Sequence, residues 1–279
     1  MDLGIFTTTF VRSTLEVTFD AVATSGLHAV QFNLSSAGAA SLPDEIAPAL
    51  VDRVRRAASS RDIEIAAVSG TFNMAHPDAT ARADGVRRLG VLLAACRPMG
   101  ASVVTICTGT RDREDMWRWH RDNETPGAWR DLIATLGEAL TLAETAGVTL
   151  AFEPERANLV DTPAKAAALL REMGSDELKV VIDAANLIDP GEEARLPAVL
   201  DEAFAVLGDR IVLAHAKDRT ADGTVVPAGM GVLPWDRYLE LLQRVGYRGP
   251  LVMHGLDELE VPASMATLRR SLATANRAR

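Results

Sequence analysis

Val148-Thr149-Leu150-Ala151-Phe152-Glu153, Val180-Val181-Ile182-Asp183, Ile211-Val212-Leu213-Ala214-His215 and Leu251-Val252-Met253-His254 decide the fold. Each is a short apolar run of strand character that finishes on a side chain able to bind a metal ion. The endpoints lie 30, 32 and 39 residues apart (153 to 183, 183 to 215, 215 to 254), about one strand-plus-helix unit each time. In a barrel of parallel strands the C-terminal strand ends converge on one mouth. Glu153, Asp183, His215 and His254 are therefore expected to meet in space. Two carboxylates and two imidazoles form a mixed oxygen and nitrogen donor set, suited to one Mn, Zn, Co, Fe or Mg ion.

The rest of the chain repeats the alternation. Leu3–Thr7 reads as a first strand, 13–24 as a helix, and 28–34 as a second strand with Val30 and Phe32 on one face. A helix over 47–61, a strand over 63–68, a helix over 81–97 and a strand over 103–107 follow. The helix stripe Val86, Leu89, Leu93 and Cys96 ends at Gly100. Helices are also predicted over 129–146, from Thr162-Pro163 to Met173, over 197–207 and over 235–245. The reading is an α/β chain forming a single (β/α)8 TIM barrel over residues 1–279, close to the roughly 250 residues such a barrel needs. A doubly wound open sheet would want a glycine-rich phosphate turn after strand one, and Gly4-Ile5-Phe6-Thr7 offers none.

Composition narrows the function. A hydrophobic content of 48% supplies a core, and no apolar run approaches the ~20 residues of a membrane helix. Met1-Asp2-Leu3-Gly4 carries no secretory pattern, so a cytoplasmic location is expected. Cys96 and Cys107 sit in apolar surroundings and read as buried thiols. Net charge is −9, and the basic clusters at 53–56, 87–88 and 269–270 fall on helices. Nucleic acid and membranes are therefore not expected partners. The connection from Thr108 to Pro126 is long and holds Trp117 and Trp119. It is either a sugar-stacking, water-excluding wall or a loop whose tryptophans pack on the rim.

The residues around the four endpoints carry a resemblance. Phe152-Glu153-Pro154-Glu155-Arg156-Ala157-Asn158-Leu159-Val160, Ile182-Asp183-Ala184-Ala185-Asn186-Leu187 and His215-Ala216-Lys217-Asp218 resemble the sugar phosphate isomerase/epimerase superfamily, the xylose isomerase-like TIM barrels. Phe72-Asn73-Met74-Ala75-His76-Pro77-Asp78 and Gly246-Tyr247-Arg248-Gly249-Pro250-Leu251 fit the same pattern. The resemblance implies a metal-dependent isomerase or epimerase acting on a small keto-sugar, sugar phosphate or polyol ketone, with homodimers expected. It also admits an inosose dehydratase-like lyase and a non-catalytic sugar-binding barrel. The His-rich, trinuclear arrangement of endonuclease IV fits poorly with five histidines and an acidic chain.

By position, the resemblance puts metal ligands at Glu153, Asp183 and His215, and His254 stands where the family usually has a glutamate. In isomerase and epimerase members the glutamates of strands five and eight are both ligands and proton-transfer bases. Glu153 is thus expected to be ligand and first base, with His254 ligand or second acid/base. Asn186 stands where some ketose epimerases place a substrate-contacting histidine; it can bond a hydroxyl but not shuttle a proton. Glu155, Asn186, Lys217, His76 and Trp117 are the candidate substrate contacts. Salt-bridging for Glu155, solvation for Lys217 and capping for His76 are the competing roles. Asp218 reads as structural, and Gly229-Met230-Gly231 as a flexible turn too weak to be a phosphate cradle.

Overall fold

The computed structural model describes residues 1–277. Eight parallel strands close into a barrel: β1 (Leu3–Phe6), β2 (Ala29–Phe32), β3 (Glu64–Ser69), β4 (Val103–Cys107), β5 (Thr149–Glu153), β6 (Leu178–Ile182), β7 (Ile211–Ala216) and β8 (Leu251–Met253). They stand in chain order, and β8 pairs with β1 to close the ring. The outer layer is α1 (Leu15–Thr24), α2 (Pro48–Ser59), α3 (Ala79–Met99), α4 (Pro126–Ala146), α5 (Pro163–Met173), α6 (Leu196–Leu207), α7 (Trp235–Arg244) and α8 (Val261–Arg277). No helix among the described residues is long and apolar enough to cross a membrane.

Helix starts are where the observed elements depart most from the apolar periodicity. α4 begins at Pro126, ahead of the Trp129 at which its apolar stripe starts. Thr125 Oγ1 accepts from Ala128 N–H and Pro126 occupies the first turn, so the cap and the proline start the helix three residues before Trp129. Likewise α3 begins at Ala79, after the Asp78 side chain accepts from Thr80 N–H. Cys96 and Cys107 are buried and unbonded to each other, as their surroundings require.

Two hydrophobic layers hold the barrel. The larger packs helices against the outer strand faces; the smaller, Ala67, Ala151, Val181, Leu213 and Val252, fills the inside. Strand side chains alternate faces with a period of two. The residues two beyond four of these interior positions are Glu153, Asp183, His215 and His254. Interior packing thus aims all four at the C-terminal mouth. Register shifts lie between Val30 and Gln31 and between Val180 and Val181. Irregularities of this kind recur beside active sites because they re-aim the following side chains.

The segment after β7 is a short ribbon, Asp218–Arg219 against Val225–Val226, organised by one carboxylate. Asp218 is fully buried and accepts from the N–H groups of Arg219, Gly229 and Leu233 and from Trp235 Nε1–H. The Gly229-Met230-Gly231 turn is therefore wrapped on Asp218, and the Gly229 N–H that could have met a phosphate is already used. A Cβ at Gly231 would collide with the Arg219 carbonyl and the Asp218 carboxylate. Gly231→Ala is expected to cost about 2–3 kcal/mol in chemical denaturation. A loss within 0.5 kcal/mol, the usual effect of a surface substitution, would show that the turn relaxes freely.

Candidate active site

The mouth of the barrel holds a cavity of about 340 Å³. Glu153, Glu155, Asn186, Lys217, His215, His254 and Trp117 line it, together with Phe6, Gln31, Ser69, Thr105 and Cys107. Asp183 lies beneath, with no exposed surface. One donor atom each from Asp183, His215 and His254 falls within 4.8 Å of the other two. Glu153 stands outside that mutual distance but adjoins it, with Oε2 3.2 Å from His215 Nδ1. Three of the expected ligands are thus tightly clustered, and the fourth flanks them.

His215 Nδ1 is buried and makes no hydrogen bond. The other ring nitrogen, Nε2, is 2.8 Å from Gln31 Oε1. A buried imidazole nitrogen facing a carboxylate without a hydrogen bond is suited to a cation between them. Neutral imidazoles and carboxylates at this spacing fit a divalent ion of the transition series.

The charges around Asp183 fit the same picture. Lys217 Nζ lies 3.1 Å and His254 Nε2 2.9 Å from Asp183 Oδ2. Burial opposes ionisation of Asp183, but Lys217 and His254 outweigh it and hold the carboxyl below the usual range. Burial likewise opposes the charge on Lys217, which Asp183, Glu153 and Glu155 restore and raise. Burial also opposes ionisation of Glu153, and His215 outweighs it. For Glu155, burial and then the neighbouring Glu153 outweigh Lys217 and push the carboxyl up to about 8. Burial, helped by Lys217, pushes His254 down to about 4, which keeps the ring neutral near pH 7.

Packing sets the ring orientations. Phe6 stacks on His254 with centroids 4.7 Å apart and meets His215 edge-on at 5.2 Å. The Tyr238 hydroxyl, carried on α7, is 2.9 Å from the Ile182 carbonyl and 3.2 Å from the His215 carbonyl, tying β6 to β7 at the site. Asn186 Nδ2 donates to Glu153 Oε1, so its amide orients the expected base.

The structure separates the remaining candidates. His76 does not reach the cavity: Nδ1 accepts from Asp78 N–H and Nε2 lies 3.2 Å from the Arg113 carbonyl, which is a capping role. Trp117 and Trp119 are both about half exposed, so neither is packed onto the rim. Trp117 lines the cavity, whereas Trp119 faces a separate hollow beside Arg156 and Asp189. Their loop is fixed by Asp112, whose carboxylate accepts from Arg118, and by Asn123, which accepts from Thr110 and Arg111. Gln31, Ser69, Thr105 and Phe6 were not singled out in sequence. For Gln31 a signal existed: an amide between Val30 and Phe32 interrupts an otherwise apolar strand.

Residues 19–271 match the xylose isomerase-like TIM barrel family, and the chain belongs to it. L-ribulose-5-phosphate 3-epimerase UlaE of Escherichia coli is 27% identical over 211 residues, 75% of this chain and 69% of its own. A solved L-ribulose 3-epimerase superposes with a TM-score of 0.76 over 99% of this chain and 96% of its own, at 20% identity. The E. coli 3-keto-D-glucoside 4-epimerase YcjR superposes at 0.74 over 99% of both chains, at 18% identity. The IOLI protein with a bound zinc atom does so at 0.73 over 99% and 98%, at 16% identity. The last three likenesses concern the fold.

Proposed function

We propose that the protein is a divalent-metal-dependent isomerase or epimerase of a small keto-sugar or its phosphate. The observation that carries this is the convergence of Asp183, His215 and His254, flanked by Glu153, on one cavity of a barrel whose relatives are sugar epimerases. Asp183, His215, His254 and Glu153 would hold the ion. Bound there, it would supply a Lewis acid that makes the carbon next to a sugar carbonyl more acidic. Glu153, ionised and oriented by Asn186, is the base placed to remove that proton. Glu155, on the wall of the same cavity and pushed up to about 8, is the group placed to return one, with His254 beside it as ligand. Asn186, Ser69 and Thr105 present an amide and two hydroxyls to sugar hydroxyls, and Trp117 presents a face to the ring.

The test is a panel of free and phosphorylated ketoses in deuterated water, with chelated and metal-reconstituted protein. The expected result is deuterium incorporation next to the carbonyl that chelation abolishes and metal restores. Turnover unaffected by chelation would overturn the metal reading. A metal-loaded protein inert on the whole panel would favour a binding role. Trp117→Ala is expected to raise KM on the active ketose by about 3- to 10-fold with little change in kcat, as loss of an aromatic face of about 1 kcal/mol implies. An unchanged KM would place Trp117 outside the substrate's reach.

A further inference from the structure

The hollow beside Trp119 is walled by the same three loops as the candidate active site. After β4, Trp117 lines the active-site cavity and Trp119 the hollow; after β5, Glu155 and Arg156 divide in the same way; after β6, Asn186 and Asp189 do so. The hollow measures about 570 Å³ and the cavity about 340 Å³, so each lies in the ~300–1,000 Å³ range of small-molecule sites. Contacts between the loops fix the walls of the hollow. Asn123 Nδ2 donates to the Ala157 carbonyl at 3.3 Å, and Arg156 Nε donates to Asp189 Oδ1 at 2.9 Å. Lys165 Nζ lies 2.9 Å from Glu124 Oε1 and 3.0 Å from Asp161 Oδ1. Against these polar walls the Trp119 side chain is left 51% exposed, an aromatic surface that the fold does not cover.

We propose that this hollow is a second sugar subsite, so that the preferred substrate is a keto-sugar carrying a second, neutral sugar ring. The inference rests on the reading proposed above for the reacting end of the substrate. Charge selects the occupant. Glu124, Asp161 and Asp189 outnumber Arg156 and Lys165, and both cations already face carboxylates. A phosphate there would meet net negative charge and cations whose charge is already met. A sugar ring suits the same walls. The carboxylates keep lone pairs beyond those facing Arg156 and Lys165 and accept from hydroxyls, while the Arg156 guanidinium has donors beyond the two spent on Asp189. The indole offers the apolar face of the ring a surface to stack on. Glu155 and Arg156 are adjacent in the chain and Trp117 and Trp119 are two residues apart, so rings held in the two hollows would be neighbours, as a glycosidic bond requires.

The experiment uses full-length protein labelled with ¹⁵N-tryptophan and supplied with Zn²⁺, its indole signals assigned by their loss in Trp117→Phe and Trp119→Phe. It is titrated with fructose, fructose 6-phosphate and the ketose-ended disaccharides maltulose, lactulose and isomaltulose. Fructose and its phosphate should move the Trp117 indole and leave Trp119 unmoved. At least one disaccharide should move both indoles and bind more tightly than fructose. Trp119→Ala should weaken that disaccharide about 3- to 10-fold and leave fructose affinity unchanged, whereas Trp117→Ala should weaken both. A Trp119 indole that no disaccharide moves would overturn the inference, whether or not ketoses are turned over. So would a phosphate ester that moves Trp119, or a Trp119→Ala variant with unchanged disaccharide affinity. A disaccharide that moves both indoles without being turned over would uphold the subsite and sink the epimerase reading.

Discussion

Glu153→Gln is expected to lower kcat on the responsive ketose by about 10³-fold, within the 10²- to 10⁴-fold span of a positioned general base. The substitution removes charge and basicity with little change in shape. Its side-chain oxygen can still accept from Asn186 Nδ2, and its amide can donate to the bare His215 Nδ1. The fold should therefore survive, which circular dichroism and the melting temperature would establish. Zn²⁺ affinity should fall by a smaller factor, because Asp183, His215 and His254 remain. A variant that folds, binds metal and retains activity within a few-fold of wild type would remove Glu153 from the role of base. Loss of metal with no residual turnover would make it first a ligand.

Asp183→Ala should carry the largest stability effect, about 3–5 kcal/mol. Asp183 has no exposure, and two partners share its Oδ2: Lys217 Nζ at 3.1 Å and His254 Nε2 at 2.9 Å. Truncation leaves the Lys217 ammonium, itself 8% exposed, without its nearest counter-charge. Denaturant titration of Asp183→Ala beside Asp183→Ala/Lys217→Met separates the contributions. The double variant should recover part of the loss, since it removes the stranded charge. A single-variant loss below about 1 kcal/mol would mean that water or Glu153 and Glu155 re-solvate Lys217 at little cost.

The position of His254 distinguishes this barrel from the pattern that its sequence resembles, in which a glutamate closes the set. A neutral imidazole stacked on Phe6 is a donor of fixed direction and no charge. Under the proposed reaction this leaves the return of the proton to Glu155, whose carboxyl is pushed up to about 8, and makes His254 first a ligand. Glu155→Gln and His254→Gln, compared for kcat and for Zn²⁺ affinity, would separate the two. The group that returns the proton should lower kcat without lowering affinity, and a ligand should lower both.

The strand ends and their order were legible in the chain itself. Alternating apolar runs with ligand-type residues at their C-terminal ends specify both the barrel and the face on which Glu153, Asp183, His215 and His254 gather. Period-two geometry carries each of them two residues past an interior side chain. Glycine and Thr-Pro signals marked most helix ends, while the starts of α3 and α4 are set by the capping side chains of Asp78 and Thr125, which no apolar stripe reports. What the tertiary structure decided is which partners each ionisable group has. His76 and Trp117 look equally promising in sequence, yet loop geometry turns the first into a cap and sets the second on the cavity wall. Gln31, Ser69 and Thr105 have ordinary identities, and they meet one another and His215 because β2, β3 and β4 lie side by side and β7 faces them across the barrel. Local periodicity sets the direction of a side chain, whereas its charge, tautomer and partners depend on contacts between segments far apart in sequence, which exist only once the barrel has closed.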